Sequence, residues 1–139
     1  AQPASRTAAW RRDPDLRFCR TCYDHLAGQV GIAVTDSLTQ HGHLEPKGAR
    51  DWKLTPSGEL FCARVGVDLP GARQASTRHF ARQCLDWSER RPHISGALGS
   101  AIADTFFKKG WAEKLRRGRT VRLTDSGRRA LSRDFGAAI

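Results

Sequence analysis

The chain has no methionine, no apolar run approaching the roughly 18 residues of a membrane span, and few acids, 14 Asp and Glu against 24 Lys and Arg. Each shortage excludes something. Without a long apolar segment no spanning helix is expected. The opening "AQPASRTAAWRRDPD" has no hydrophobic segment and so is not a signal peptide. The missing initiator Met reads as a trimmed piece of a longer protein or, equally, as Met removal before Ala1. No Ser/His/Asp constellation, phosphate-cradling glycine loop or paired-carboxylate arrangement stands out, so no enzyme is expected. Four cysteines (Cys19, Cys22, Cys62 and Cys84) without a secretory signal favour a reducing compartment. A cytoplasmic protein with free thiols and no membrane partner is expected.

What the chain has in excess is base. Its formal net charge is +10, which favours a polyanionic partner; a solvated arginine-rich surface is the competing reading. The charge is uneven. Residues 108 to 133 hold ten basic groups against two acids, Glu113 and Asp125.

The chain also contains itself twice, the first thing to search for in a new sequence. Shifted by 68 residues, "HLAGQVGIAVTDSLTQHGHLE" falls on "HISGALGSAIADTFFKKGWAE". His25 then meets His93, Gly28 meets Gly96, Gly31 meets Gly99, Asp36 meets Asp104 and Gly42 meets Gly110. Leu26, Val30, Val34 and Leu38 lie on Ile94, Leu98, Ile102 and Phe106, the stripe of an amphipathic helix. After a one-residue gap "WKLTPSGELF" lies on "VRLTDSGRRAL". Upstream, "CYDH" matches "CLDWSERRPH" once the second copy inserts "WSERRP".

Each copy predicts the same order of elements. A long helix runs from about 22 to 41, and again from about 92 to 109, closed by Gly42 and Gly110. A short hairpin follows, then a helix capped by Thr55 or Thr124, with Pro56 in the first turn. Helix, two-stranded wing and an "LTxxG" helix form the back half of a winged-helix domain. The expected fold is therefore α+β and mostly helical: a basic tail over 1–17, a winged-helix-like repeat over 18–70, a basic linker over 71–83, and a second repeat over 84–139. Glycine inside a helix costs about 1 kcal/mol against alanine, yet both copies carry a pair. Gly28 and Gly31, and Gly96 and Gly99, are expected where the two helices cross each other or a ligand; the bland alternative is that each pair accommodates a neighbouring side chain.

With "RTCYDHLAGQVGIAV" and "CLDWSERRPHISGALGSAI" in view, residues 17 to the end resemble the C-terminal region of a subgroup of ArsR-type transcriptional regulators. That resemblance implies transcription control, homodimers, and DNA binding by an N-terminal helix-turn-helix ahead of this region. On this reading the chain is expected to be the parent's regulatory and assembly module, with DNA as partner through the parent protein.

Several side chains are candidates for chemistry. Cys22 and His25, spaced i and i+3, and their counterparts Cys84 and His93 suit a soft metal or metalloid. Zinc needs about four ligands, so both copies must converge, or Cys19 and Cys62 must join. This makes a metal or thiol sensor the alternative function, with a soft ion as its cofactor, and a purely structural dimerisation domain the second alternative. The competing reading is packing, since buried cysteine behaves as a small hydrophobe. "CRTC" lacks the βαβ context of a redox CxxC. His41 balances the dipole at a helix end. In the insertion, Arg90 and Arg91 either bracket Asp86 over Trp87 or form an anion or effector pocket with His93. The second wing offers Lys114, Arg116, Arg117, Arg119 and Arg122 for phosphate contact.

Overall fold

The computed structural model describes residues 12–75 and 79–139. Residues 1–11 of the expected tail and 76–78 of the expected linker lie outside the described residues. The fold is α+β, with six helices among the described residues and small antiparallel sheets built as two winged-helix-like repeats. The first unit contains α1 (Pro14–Phe18), β1 (Arg20–Cys22), β2 (His25–Ala27), α2 (Gly28–Gln40), β3 (Leu44–Lys47), β4 (Asp51–Leu54) and α3 (Pro56–Val65). After α4 (Leu69–Gln74), the second contains β5 (Arg82–Leu85), β6 (Pro92–Ser95), α5 (Gly96–Lys108), β7 (Ala112–Lys114), β8 (Val121–Leu123) and α6 (Asp125–Arg133). Part of the span read as tail is thus helix α1, and the span read as linker takes in much of α4 and the start of β5.

The wings and closing helices lie where the sequence puts them. Thr55 Oγ1 accepts from the Gly58 amide, and Thr124 Oγ1 from the Gly127 amide, each serving as an N-cap. The long helices are shorter than expected. Residues 25–27 and 92–95 are strands, and α2 and α5 begin only at Gly28 and Gly96. The reason is backbone geometry: Gly28 has φ +77° and Gly96 φ +79°, a left-handed conformation that only glycine adopts without strain. Leu26 and Ile94 continue the helical stripe in sequence, but they belong to the strands before it. The glycines therefore turn strand into helix, and they do not lie inside one.

The units exchange edges. The β1–β2 hairpin of the first unit lies beside the β7–β8 wing of the second, with the Thr21 amide donating to the Arg119 carbonyl (2.9 Å) and Val121 to Cys19 (3.1 Å). The β5–β6 hairpin of the second unit lies beside the β3–β4 wing of the first: Gln83 donates to Arg50 (2.8 Å) and Trp52 to Ala81 (3.0 Å). The helices follow the same rule, with α2 packed on β6 and α5 on β2. One continuous core results, with Val30, Val34 and Leu38 from one helix and Leu98, Ile102 and Phe106 from the other.

Candidate metal centre

This exchange brings β2 and β6 side by side at the centre of the molecule, and with them the repeated Cys/His pairs. His25 pairs with Cys22 across the first hairpin and His93 with Cys84 across the second. The two hairpins place Nε2 of His25 3.0 Å from Nε2 of His93, and Sγ of Cys22 4.0 Å from Sγ of Cys84. The four donor atoms all lie within 4.8 Å of one another. Both histidines are buried, and both cysteines are partly exposed. Cys19 and Cys62 do not join them; each is buried in the core.

The space needed for this meeting comes from the second glycine of each pair. A Cβ on Gly31 would stand 2.6 Å from the Leu26 carbonyl oxygen and 3.9 Å from the His93 Cβ; one on Gly99 would stand 2.8 Å from the Ile94 oxygen and 3.3 Å from the His25 Cβ. Each helix therefore faces its own preceding strand and the histidine of the other unit. The first glycines, Gly28 and Gly96, face carbonyl oxygens: Arg17 at 2.6 Å and His79 at 2.7 Å. The close approach is to the end of the short helix α1 at Gly28, to strand backbone at Gly31 and Gly99 and to loop backbone at Gly96, which departs from a crossing of α2 and α5.

Behind the histidines sits Asp86, with no exposed side-chain surface. Its Oδ2 accepts from His93 Nδ1 (2.9 Å) and from the Gly28 amide at the start of α2 (2.7 Å). Its Oδ1 accepts from Arg20 Nη2 (2.8 Å), the Ser88 hydroxyl (2.9 Å) and the amides of Ser88 and Glu89 (3.1 and 3.0 Å). Burial alone would raise its pKa, but the bonds from His93, Gly28 and Glu89 and the charge of Arg20 outweigh it. The carboxyl is held well below the usual range. Arg20 is also buried; it donates to the Leu16 carbonyl and the Ser88 hydroxyl and lies 3.9 Å above the Trp87 ring. Sequence reading missed Arg20 because an ion pair 66 residues apart leaves no local pattern.

The electrostatics separate the four thiols. The neighbouring Cys84 thiol, followed by His25 and His93, pushes Cys22 well below the usual thiol range. Cys84 is raised, chiefly by its contact with Cys22 and then by burial. For His93, burial opposes the charged ring, but its bonds to Asp86 and Cys22 prevail and its pKa is raised. Burial pushes Cys19 up to about 12 and Cys62 up to about 11. A cavity of about 270 Å³, walled by Leu16, Trp87, Thr120 and others, opens onto Cys22.

The remaining candidates do not converge. Arg90 and Arg91 are exposed while His93 is buried, and Arg91 reaches Asp36 at 2.6 Å. The partner of Asp86 is Arg20, in place of the expected bracket of Arg90 and Arg91. His41 Nδ1 donates to the Ser37 carbonyl (2.7 Å) at the end of α2. In the second wing Lys114, Arg116, Arg117 and Arg119 are exposed, and Arg122 pairs with Glu113 at 2.6 Å.

Over 125 residues the chain is 41% identical to an uncharacterized HTH-type transcriptional regulator, YdfF, of Bacillus subtilis (strain 168), covering 90% of this chain and 54% of that protein. The chain thus spans about half the length of the curated relative it matches. No family model matches the sequence, and no solved structure matches it. Among the described residues no helix is long and apolar enough to cross a membrane.

Proposed function

We propose that this chain is the regulatory and assembly half of an ArsR-type, DNA-binding transcriptional regulator that works as a homodimer and has no catalytic role. The observation that carries this reading is its match to a regulator of HTH type of which it spans about half. The burial of α2 and α5 fits that division of labour. These are the helices that precede the wings; eight of the thirteen residues of each are buried, and the stripe left uncovered carries an acid, Asp36 on α2 and Asp104 on α5, which a phosphate-lined groove repels. Reading of bases falls to another part of the parent protein. What this chain offers to DNA is the exposed basic hairpin of the second wing, suited to phosphate and not to sequence. That wing is hydrogen-bonded to β1, the strand that carries Cys22. A change at the Cys/His junction therefore has a short mechanical route to the basic hairpin.

The test titrates a labelled duplex with this chain at about 50 and 200 mM salt, beside the variant Arg116→Ala, Arg117→Ala, Arg119→Ala. Weak, sequence-independent binding is expected, with a log–log salt slope reduced by about 0.9 for each phosphate that the variant no longer neutralises. Tight sequence-selective binding by the chain alone, or binding indifferent to the triple substitution, would refute this role for the wing. Sedimentation showing only monomer at high concentration would remove the assembly role.

A further inference from the structure

We propose that the junction between the two units binds one divalent cation of the zinc type in a tetrahedral shell of Cys22 Sγ, Cys84 Sγ, His25 Nε2 and His93 Nε2. Distances come first. A tetrahedral ion with Zn–S near 2.3 Å and Zn–N near 2.0–2.1 Å sets sulfur–sulfur and nitrogen–nitrogen separations of about 3.8 and about 3.3 Å. The molecule holds these pairs at 4.0 and 3.0 Å, with every donor within 4.8 Å of the others. The two like-atom pairs are within a few tenths of an ångström of these separations; the sulfur–nitrogen pairs, at up to 4.8 Å, close by about 1 Å to reach the roughly 3.5 Å of such a shell.

Ring orientation is the second argument. Nδ1 of His93 is hydrogen-bonded to Asp86 at 2.9 Å, whereas Nδ1 of His25 makes no hydrogen bond and lies 3.5 Å from Oδ1 of Asp24. On His93 the carboxylate fixes the proton at Nδ1 and turns Nε2 outward, the usual outer shell of a metal-bound imidazole; on His25 it is the 3.0 Å approach to His93 that places Nε2 at the same point. Both outward nitrogens then point at each other inside a buried site. Two lone pairs that close need a shared proton or a shared cation between them, and two sulfurs complete the set that a cation requires. No donor of the core competes, since Cys19 and Cys62 lie elsewhere.

Charge and access make the third. Two thiolates and two neutral imidazoles around a dication sum to zero, while Arg20 and Asp86 neutralise each other behind it, so burial leaves no net charge unpaired. The partly exposed sulfurs face outward, and the cavity of about 270 Å³ beside Cys22 gives an ion a way in. An N₂S₂ set selects a soft or borderline ion and disfavours magnesium and calcium, which want oxygen.

Chelator-stripped, reduced chain is titrated with Co²⁺, followed by absorption, then with Zn²⁺. One equivalent of Co²⁺ is expected to give the intense visible bands of a tetrahedral ion and a thiolate charge-transfer band, both bleached by Zn²⁺. Cys84→Ser halves the charge-transfer intensity. Should the Cys84 variant fail to fold, the wild-type titration still decides. Binding of less than about 0.2 equivalents, weak six-coordinate bands without thiolate charge transfer, or a spectrum unchanged in a folded Cys84→Ser chain would overturn the proposal. No DNA enters the measurement, so its result is separable from the regulatory reading.

Discussion

In the first unit Asp24 keeps 31% of its side chain exposed and stands 3.5 Å from Nδ1 of His25, which makes no hydrogen bond. In the second, Asp86 is wholly buried, 2.9 Å from its own histidine, and also holds Arg20 and the first amide of α2 in the other unit. The two aspartates hold matching places in one template. What separates them is the "WSERRP" insertion, which folds over Asp86 as a turn: Arg90 (φ +62°) donates its amide to the Asp86 carbonyl, and Ser88 and Glu89 wrap the carboxylate. A duplicated design thus became asymmetric by burying one copy of a residue and leaving the other at the surface. The buried copy became the tie between units.

The largest expected effect tests that asymmetry directly. Asp86→Asn leaves the buried Arg20 guanidinium without its charge partner, a change that typically costs about 3–5 kcal/mol. Asp24→Asn removes a half-solvated contact and costs under about 1 kcal/mol. Urea unfolding of both variants measures the gap; equal losses would mean that the insertion does not set the two apart.

Next in size are the glycines that make room for the histidines. Gly31→Ala and Gly99→Ala each press a Cβ to within 2.6–2.8 Å of a backbone oxygen, an overpacking worth about 1–3 kcal/mol. The two units are alike here, so thermal unfolding is expected to place the two costs within about 1 kcal/mol of each other. A wider split would break the equivalence of the two helices.

The smallest effect concerns the thiols. Cys19, on the first unit's edge, has Ala81 as its counterpart, and the carbonyl of each accepts an amide of the facing wing. Its folded pKa is raised from 9.0 to about 12, and that of Cys62 to about 11. A group raised on folding contributes stability that is complete below its unfolded pKa and is lost as pH rises towards the folded value. Between pH 8 and pH 10 each thiol is therefore expected to cost about 1.4 kcal/mol. Cys19→Ala, which makes the first unit like the second, removes one thiol's share of that alkaline slope in urea unfolding. An unchanged slope would show that Cys19 ionises freely.

Much of this fold was legible because it is local and repeated. Thr55 and Thr124, followed three residues later by Gly58 and Gly127, announce helix starts whatever lies elsewhere, and two matching hairpins announce the wings. The starts of α2 and α5 were hidden, since Leu26 and Ile94 fit a helical stripe while pairing with Thr21 and Gln83 as strands. Strands of three and four residues are too short for a period-2 pattern to stand out against the helical stripe that follows. The Cys/His pairs were legible as a recurring motif. That both face one centre followed only from the exchange of hairpins, and Arg20 gave no signal because its charge partner, Asp86, lies in the other unit.

Cys22 and Cys84, 62 residues apart, are brought together by the folding of one polypeptide. In a true homodimer such a shared pocket would thin out on dilution, as subunits part. Here the encounter is unimolecular, at an effective concentration set by the tether, and readiness to receive a guest does not fall with the number of copies in a cell.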